Sequence, residues 1–160
     1  MAVELRNLQR QVRIAPRRIL KTARTALSAL GRPGAGVHLT FVDDALIRGL
    51  NARYRRRDRR TDVLAFPLEV PGPSRLWGEI VISAETARRQ ARRLRVPVSL
   101  ELDLLVVHGL LHLAGYDDGE PHEARLMHER ERQILERGPG TRARGAGGPP
   151  GRLWSGLLPG

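Results

Sequence analysis

The chain has 160 residues, which suits one compact domain, and its 28 Lys and Arg residues against 17 Asp and Glu residues give a formal net charge of +11. It has no cysteine, which excludes disulfide bonds and thiolate metal ligands, and we expect a cytoplasmic protein because neither a signal peptide nor an apolar run of about 18 residues is evident. The positive charge predicts a polyanionic partner, nucleic acid first and an anionic membrane surface second, unless the arginines only reflect genome composition.

The first third of the chain carries a strand pattern, a helix pattern and a second strand pattern. Residues 2–8 alternate weakly and predict an edge strand, while residues 37–42 are rich in β-branched side chains and predict another strand. Between them, Pro16 suits the first turn of a helix whose apolar spacing continues to Leu30. Asp43 is a suitable N-cap for the next helix.

That helix leads into an arginine-rich segment, RYRRRDRR, at residues 53–60. Such runs are commonly solvated charged loops. The alternative is a patch that contacts phosphate groups, because the arginine side chain presents a planar fork to phosphate oxygens. Composition alone does not decide between the two.

Two further strands and two helices follow. Residues 61–70 and 76–82 predict strands joined by a short Pro/Gly turn, hence an antiparallel hairpin, with Pro67 indicating an edge strand or a bulge. Ser83 is the predicted N-cap of a helix that ends near Arg95. Ser99 is the predicted N-cap of the next helix, whose first turn would contain Glu101 and Asp103 near the positive end of the helix dipole.

This next helix is the most apolar part of the chain and carries two histidines. His108 and His112 are four residues apart, so they lie on one face of the helix, one turn apart, where both imidazoles can bind one metal ion. Gly115 ends the helix, and Asp118 can return towards the two rings. The alternative is a pair of buried, hydrogen-bonded histidines. Gly109 stands where zinc proteases of the HExxH type carry a glutamate, which argues against protease chemistry.

The final helix begins near Pro121, and its apolar positions continue to Leu135. From residue 138 the chain is mostly Gly, Pro and Arg, a composition that cannot bury enough surface to offset its conformational entropy. We therefore predict a single domain at residues 1–137 and a disordered tail at residues 138–160.

Together these motifs resemble the YbeY family of bacterial endoribonucleases and ribosomal-RNA maturation factors. HGLLHLAGYD at residues 108–117 is similar to the family signature His-Gly-x-Leu-His-Leu-x-Gly-Tyr-Asp-His, in which three histidines bind the metal. The third of these positions is Asp118 here. LNARYR at residues 50–55 with TDVLAFP at residues 61–67 is similar to a second family motif, and GEIVIS at residues 78–83 is similar to the strand that follows it.

The resemblance spans roughly residues 37–137 and implies an α+β fold with a small mixed four-stranded sheet, about five helices and a central metal-binding helix. It implies a metal-dependent, single-strand-specific endoribonuclease that acts in 16S ribosomal-RNA 3′-end maturation and ribosome quality control. Its partners would be single-stranded or ribosomal RNA and the small ribosomal subunit, with no membrane and no small-molecule cofactor.

We predict that one divalent ion, with zinc favoured, is bound by His108, His112 and Asp118. His122 as the third ligand, or a site without metal, are the alternatives. Arg55 matches the arginine that the family places in its active-site cleft and is the predicted catalytic residue; the predicted RNA-binding residues are Arg56, Arg57, Arg59 and Arg60.

Two other functions stay open: a non-catalytic RNA-binding ribosome-assembly factor with a structural metal, and a metal hydrolase with another substrate.

Overall fold

The computed structural model describes residues 3–55, 62–68 and 76–137, and for Tyr54 and Arg55 it describes the backbone only. Within these ranges the chain forms four strands and five helices, in the order predicted. They are β1 (Val3–Asn7), α1 (Pro16–Ala29), β2 (Gly36–Val42), α2 (Asp44–Arg55), β3 (Val63–Pro67), β4 (Leu76–Ser83), α3 (Ala84–Leu94), α4 (Val98–Leu113) and α5 (Pro121–Glu136). No helix in these ranges has the length and apolar character needed to cross a membrane.

The four strands form one mixed sheet with the order β1-β2-β4-β3. β2 pairs in parallel with β1 and with β4, whereas β3 pairs antiparallel with β4 as the predicted hairpin requires. Pro67 lies on the edge strand β3, where its missing N–H group does not interrupt the sheet. The α+β fold with a small mixed sheet is therefore confirmed.

Helix α4 lies at the centre of the molecule. It packs against β3 and β4 and is contacted by α1, α3 and α5, so nearly all of its side chains are buried and its sequence is apolar on every side. Gly109 permits the close approach of this helix to the sheet, because a Cβ atom there would lie 2.7 Å from Cγ2 of Ile80. The sheet therefore fixes the position of the turn of α4 that carries His108.

The other face of the sheet is covered by α2 over a second, smaller apolar cluster, formed by Val42, Ile47, Leu64 and Val81. The start of α2 is held by the carboxylate of Asp44, which accepts hydrogen bonds of 2.6 Å from Ser83, Thr86 and Arg89. These bonds join α2 to the junction of β4 and α3. They anchor the helix that ends at Arg55.

The predicted start of α4 is wrong in two details. The helix begins at Val98, so Ser99 lies inside it, and Pro97 occupies the N-cap position without a side-chain hydrogen bond. Only Glu101 lies in the first turn, and both Glu101 and Asp103 are buried, with 0% and 1% of their surface exposed. Sequence reasoning placed these carboxylates correctly on the helix but did not anticipate their burial.

The two buried carboxylates differ in their partners. Asp103 accepts hydrogen bonds from Nε and Nη2 of Arg18, at 3.0 and 2.8 Å, and from Thr22 at 3.0 Å. Glu101 has no hydrogen-bond partner among the described residues. Burial raises the pKa of Glu101 to about 8, with further increases from Asp62 and Glu131 and an opposing effect of Arg93. This carboxyl group is therefore mostly neutral at pH 7.

The raised pKa of Glu101 predicts a pH-dependent loss of stability. Its pKa in the folded chain, about 8, lies above the ordinary value of 4.5 that applies to the unfolded chain. Its contribution to stability is therefore fully present below pH 4.5 and is lost as the pH rises through about 8. Glu101→Gln cannot ionise, so the variant should become progressively more stable than the parent across this interval. Urea denaturation at several pH values measures the difference; Glu129→Gln, at an exposed position, is the control. Parallel pH profiles of parent and Glu101→Gln would contradict the assignment.

Candidate metal centre

Gly115 terminates helix α4, as predicted from the sequence. Gly115 has a φ of +100°, a left-handed conformation that a residue with a Cβ atom adopts only with strain. The N–H of Gly115 bonds to the carbonyl of His112 at 3.0 Å, and the N–H of Tyr116 bonds to the carbonyl of Leu111 at 3.0 Å. These bonds satisfy the final carbonyls of the helix and reverse the chain immediately after His112.

A second turn brings Asp118 back to the two histidines. Oδ1 of Asp117 accepts hydrogen bonds from the backbone N–H groups of Asp118 at 2.7 Å and Gly119 at 3.2 Å. An aspartate that bonds to the backbone following it stabilises a tight turn. The carboxylate of Asp117 therefore shapes the loop, while that of Asp118 is left to face the imidazoles.

The three predicted ligands converge in the structure. Nε2 of His112 lies 3.1 Å from Nε2 of His108, and Oδ2 of Asp118 lies 3.8 and 3.9 Å from the Nε2 atoms of His108 and His112. Among the described residues, these three form the group of potential ligands whose donor atoms all lie within 4.8 Å of one another. His108 is buried, whereas the side chains of His112 and Asp118 are 27% and 25% exposed, so the group is open to solvent on one side.

Both imidazoles are oriented by an acceptor on their other nitrogen. Nδ1 of His108 contacts Oε1 of Glu131, a fully buried residue of α5. Nδ1 of His112 lies 3.1 Å from the backbone carbonyl oxygen of Tyr116. A carboxylate and a carbonyl can only accept, so each Nδ1 carries a hydrogen, and in the neutral ring the lone pair is at Nε2.

This arrangement needs a cation. Two Nε2 lone pairs 3.1 Å apart, with a carboxylate oxygen beside them, repel one another unless a proton or a metal ion lies between them. Burial alone would lower the pKa of His108, but the carboxylates of Glu131, Asp118 and Asp62 outweigh it and raise that pKa. The pocket thus stabilises positive charge at His108.

The donor set fits a divalent metal ion. Zinc binds imidazole nitrogen and carboxylate oxygen at about 2.0–2.2 Å in a tetrahedron, which places neighbouring ligand atoms about 3.3 Å apart. The observed separations of 3.1, 3.8 and 3.9 Å bracket that spacing. Three protein ligands with one solvent-facing side correspond to catalytic rather than structural zinc sites, which have four protein ligands.

The remaining predicted site residues lie apart from this group or outside the described residues. His122 is exposed in the first turn of α5 and is not part of the ligand group. Arg55 is the last residue of α2, and its side chain is not described. Residues 56–60 of the arginine-rich segment and the tail at residues 138–160 lie outside the described residues.

Sequence reasoning missed two carboxylates that influence the site. Glu131 lies on the buried stripe of α5, four residues after Met127, and a glutamate among apolar positions was the available signal. Asp62 precedes β3, accepts a hydrogen bond of 3.0 Å from Nε2 of Gln90, and raises the pKa of His108. Its signal was its place in the second motif, two residues after the arginine-rich segment.

Comparisons with known proteins agree on one family. The model of the family described as Endoribonuclease YbeY matches residues 4–138. An Endoribonuclease YbeY from Anaeromyxobacter sp. (strain Fw109-5) is 45% identical over 135 residues, which cover 84% of this chain and 70% of the relative. That from Desulforamulus reducens is 40% identical over 148 residues, covering 86% of this chain and 97% of the relative. The solution structure of a Thermotoga maritima protein covers 90% of this chain and 93% of its own, with 26% identity and a TM-score of 0.58.

The contact between Glu131 and His108 predicts an effect on metal affinity without a direct bond to the metal. Glu131→Gln keeps the size of the side chain but removes the charge that favours the Nδ1–H form of His108. Zinc affinity should fall about 10- to 100-fold, as is typical when such an outer partner is removed. Calorimetric titration of the metal-free protein measures it, with Glu129→Gln on the exposed side of α5 as control. Unchanged affinity in Glu131→Gln would remove Glu131 from the site.

Replacement of Asp118 separates the three possibilities for the third ligand. Asp118→Ala should lose most of the bound metal, Asp118→His should retain it, and His122→Ala should behave as the parent. The measurement is the metal content of each variant after equilibration with buffered zinc. If His122→Ala lost metal and Asp118→Ala did not, His122 would be the ligand; if the parent itself held none, the site would bind no metal.

Proposed function

The chain belongs to the YbeY family of endoribonucleases, and on that premise we propose that it cleaves single-stranded RNA with a divalent ion bound by His108, His112 and Asp118. The enzyme class follows from the shared description of the family model and the relatives. The metal dependence is supported by one observation: Nε2 of His108, Nε2 of His112 and a carboxylate oxygen of Asp118 converge, while Nδ1 of each histidine is already hydrogen-bonded elsewhere.

Each residue of the site has a defined task in this proposal. His108 and His112 would hold the ion through Nε2 and Asp118 through a carboxylate oxygen, while Glu131 keeps a hydrogen of His108 on Nδ1. A divalent ion held there would supply Lewis acidity to a phosphate oxygen and to a water molecule. The open side of the group, at the partly exposed side chains of His112 and Asp118, gives the RNA backbone access.

The carboxylate at position 118 influences the choice of ion. An aspartate adds one negative charge relative to a third histidine, so the bound ion is a weaker Lewis acid than with three imidazoles. Carboxylate oxygen also favours harder ions such as manganese more than imidazole does. We propose zinc as the native ion because two imidazoles and one carboxylate form a common zinc-hydrolase ligand set.

The proposed RNA contacts lie in the segment that joins α2 to β3. Arg55 would stabilise negative charge on the oxygens of the scissile phosphate. Arg56, Arg57, Arg59 and Arg60 would contact neighbouring phosphates, because phosphate contacts set affinity rather than sequence preference. In support, the carboxylate of Asp62, which follows this segment, is among the charges that raise the pKa of His108.

The biological assignment is the one that the resemblance implied. We propose that the enzyme acts in 16S ribosomal-RNA 3′-end maturation and ribosome quality control, in the cytoplasm, on the small ribosomal subunit. We further propose that residues 1–137 form the single catalytic domain, and that residues 138–160 are a disordered tail. The family match, which ends at residue 138, supports that boundary.

A cleavage assay tests the proposed function against its rivals. The zinc-loaded protein should cleave single-stranded RNA, leave duplex RNA and a peptide intact, and lose activity when a chelator removes the metal. RNA binding without cleavage would support a non-catalytic ribosome-assembly factor. Cleavage of the peptide alone would support a hydrolase of another substrate class.

Arg55→Ala should lower the rate of RNA cleavage about a hundredfold or more, because loss of one strong electrostatic donor to the transition state costs about 3 kcal/mol. The metal content should not change, since Arg55 is not a ligand. Single-turnover cleavage rates measure the effect. Arg48→Ala, at an exposed position of the same helix, is the matched control. Full activity of Arg55→Ala would exclude Arg55 from the site.

The four arginines that follow should affect binding rather than chemistry. Their joint replacement by glutamine should weaken RNA binding and reduce the slope of log K against log salt by about 0.7 for each phosphate that the protein no longer neutralises. Fluorescence anisotropy at several salt concentrations gives this slope. A slope equal to that of the parent would indicate a solvated loop instead.

A further inference from the structure

The positive charge of this chain is strongly segregated. Residues 5–42 contain eight Arg and Lys residues and no Asp or Glu, although the whole chain has 17 acidic residues. Helix α5, by contrast, carries three arginines and four glutamates. An arginine-rich composition explains why arginine is abundant in residues 5–42 and in α5, but it does not explain why residues 5–42 lack acidic residues.

Part of this charge lies on a loop with a defined structure. Between β1 and α1, the buried side chain of Gln9 accepts from the N–H of Val12 at 2.9 Å and donates to its carbonyl at 2.8 Å. Val12 itself is buried in the main core. The loop is therefore held in one conformation, and Arg10 and Arg13 are exposed on either side of the anchored turn.

Helix α3 brings a second set of arginines to this loop. Nη1 of Arg88 donates to the carbonyl of Gln11 at 2.9 Å, and Nη2 lies 3.4 Å from Oε1 of the same residue. Arg92 lies one turn further along the same face of α3 and is exposed. The one acidic residue of α3, Glu85, is engaged elsewhere, because it accepts a hydrogen bond of 3.0 Å from the backbone N–H of Asp44.

We propose that Arg10, Arg13 and Arg92, positioned by the contact of Arg88 with Gln11, form a second RNA-backbone contact surface, the loop–α3 surface, which binds nucleotides remote from the cleaved bond. This proposal rests on the proposed function, because only an RNA substrate gives the surface its occupant. In the described part of the chain, no carboxylate forms an ion pair with these four arginines. Arginine is suited to phosphate because its planar fork matches two phosphate oxygens.

The loop of this surface leads into the start of α1, which lies beside the early turns of α4, whereas the metal ligands lie at its end. Arg18, in the first turn of α1, bonds to Asp103 of α4, which places the start of α1 beside the early turns of α4. Asp103 precedes His112 by nine residues, about 14 Å along the helix axis at 1.5 Å per residue. In a stacked strand each nucleotide advances about 3.4 Å along the axis, so about four stacked nucleotides span that distance.

The test compares two triple variants that lose the same charge. Arg10→Gln/Arg13→Gln/Arg92→Gln removes three exposed arginines of the surface, and Arg125→Gln/Arg132→Gln/Arg137→Gln removes three from α5 and its end. Anisotropy with a labelled single-stranded RNA of about 30 nucleotides should give a salt slope about 2 lower for the first variant, from about 0.7 per neutralised phosphate. The control should change little. Melting temperatures establish that both variants are folded.

Cleavage kinetics add the prediction that depends on length. For the long RNA, the surface variant should show a KM raised about tenfold with kcat unchanged, whereas for an RNA of about four nucleotides both constants should match the parent. Equal losses in both triple variants would mean that only net charge matters, and would overturn the proposal. So would a surface variant with the salt slope of the parent.

Two further outcomes keep this inference distinct from the proposed function. If the parent binds the long RNA through this surface but cleaves none, the surface stands and the nuclease assignment fails. If the parent cleaves RNA and the surface variant binds and cleaves it equally well, the nuclease assignment stands and the surface fails. Vesicles of phosphatidylcholine and phosphatidylserine test the other polyanion, an anionic membrane surface. If the surface variant lost vesicle binding but kept RNA binding, the proposal that the surface binds RNA would be overturned.

Discussion

The site depends on the protonation that two acceptors impose on two histidines. Glu131 and the carbonyl of Tyr116 accept from the Nδ1–H groups of His108 and His112, so the neutral rings have their lone pairs at Nε2, and the two Nε2 atoms are 3.1 Å apart. Without a cation these lone pairs and the carboxylate of Asp118 would repel one another. A proton or a divalent ion between the Nε2 atoms removes this repulsion, and the raised pKa of His108 shows that the pocket favours positive charge there.

The fold supplies the conditions for that arrangement. α4 is buried on all sides, so His108 cannot turn towards water, and Gly109 lets this part of the helix lie directly against Ile80. Gly115 then stops the helix one turn after the histidine pair and returns the chain towards it. α5, which starts only a few residues later, packs against the same helix and brings Glu131 to the hidden side of His108. The open side is left to substrate.

The sequence predicted the local features and missed the long-range ones. Hydrophobic period and turn chemistry placed the nine elements of the described residues, the hairpin and the glycine that ends α4, because each depends on neighbouring residues. Glu131 was missed because its contact with His108 joins positions 23 residues apart, and no local pattern distinguishes a buried glutamate from a solvated one. The burial of Glu101 was missed for the same reason, since it depends on how α4 packs among other helices. Ser99 failed as a cap because the helix begins at Val98, two residues before the start that a cap at Ser99 would give. The pairing of the N-terminal loop with α3 through Gln11 and Arg88 was likewise invisible to a search for local motifs.

The central claim is that one divalent ion lies between His108, His112 and Asp118. Crystals grown from zinc-loaded protein, with diffraction data recorded above and below the zinc absorption edge, test it most directly. The account predicts one strong anomalous peak about 2.0–2.2 Å from Nε2 of both histidines and from a carboxylate oxygen of Asp118, with Nδ1 of His108 still in contact with Glu131. A peak bound by other residues, or no peak between the two Nε2 atoms in zinc-saturated crystals, would contradict it.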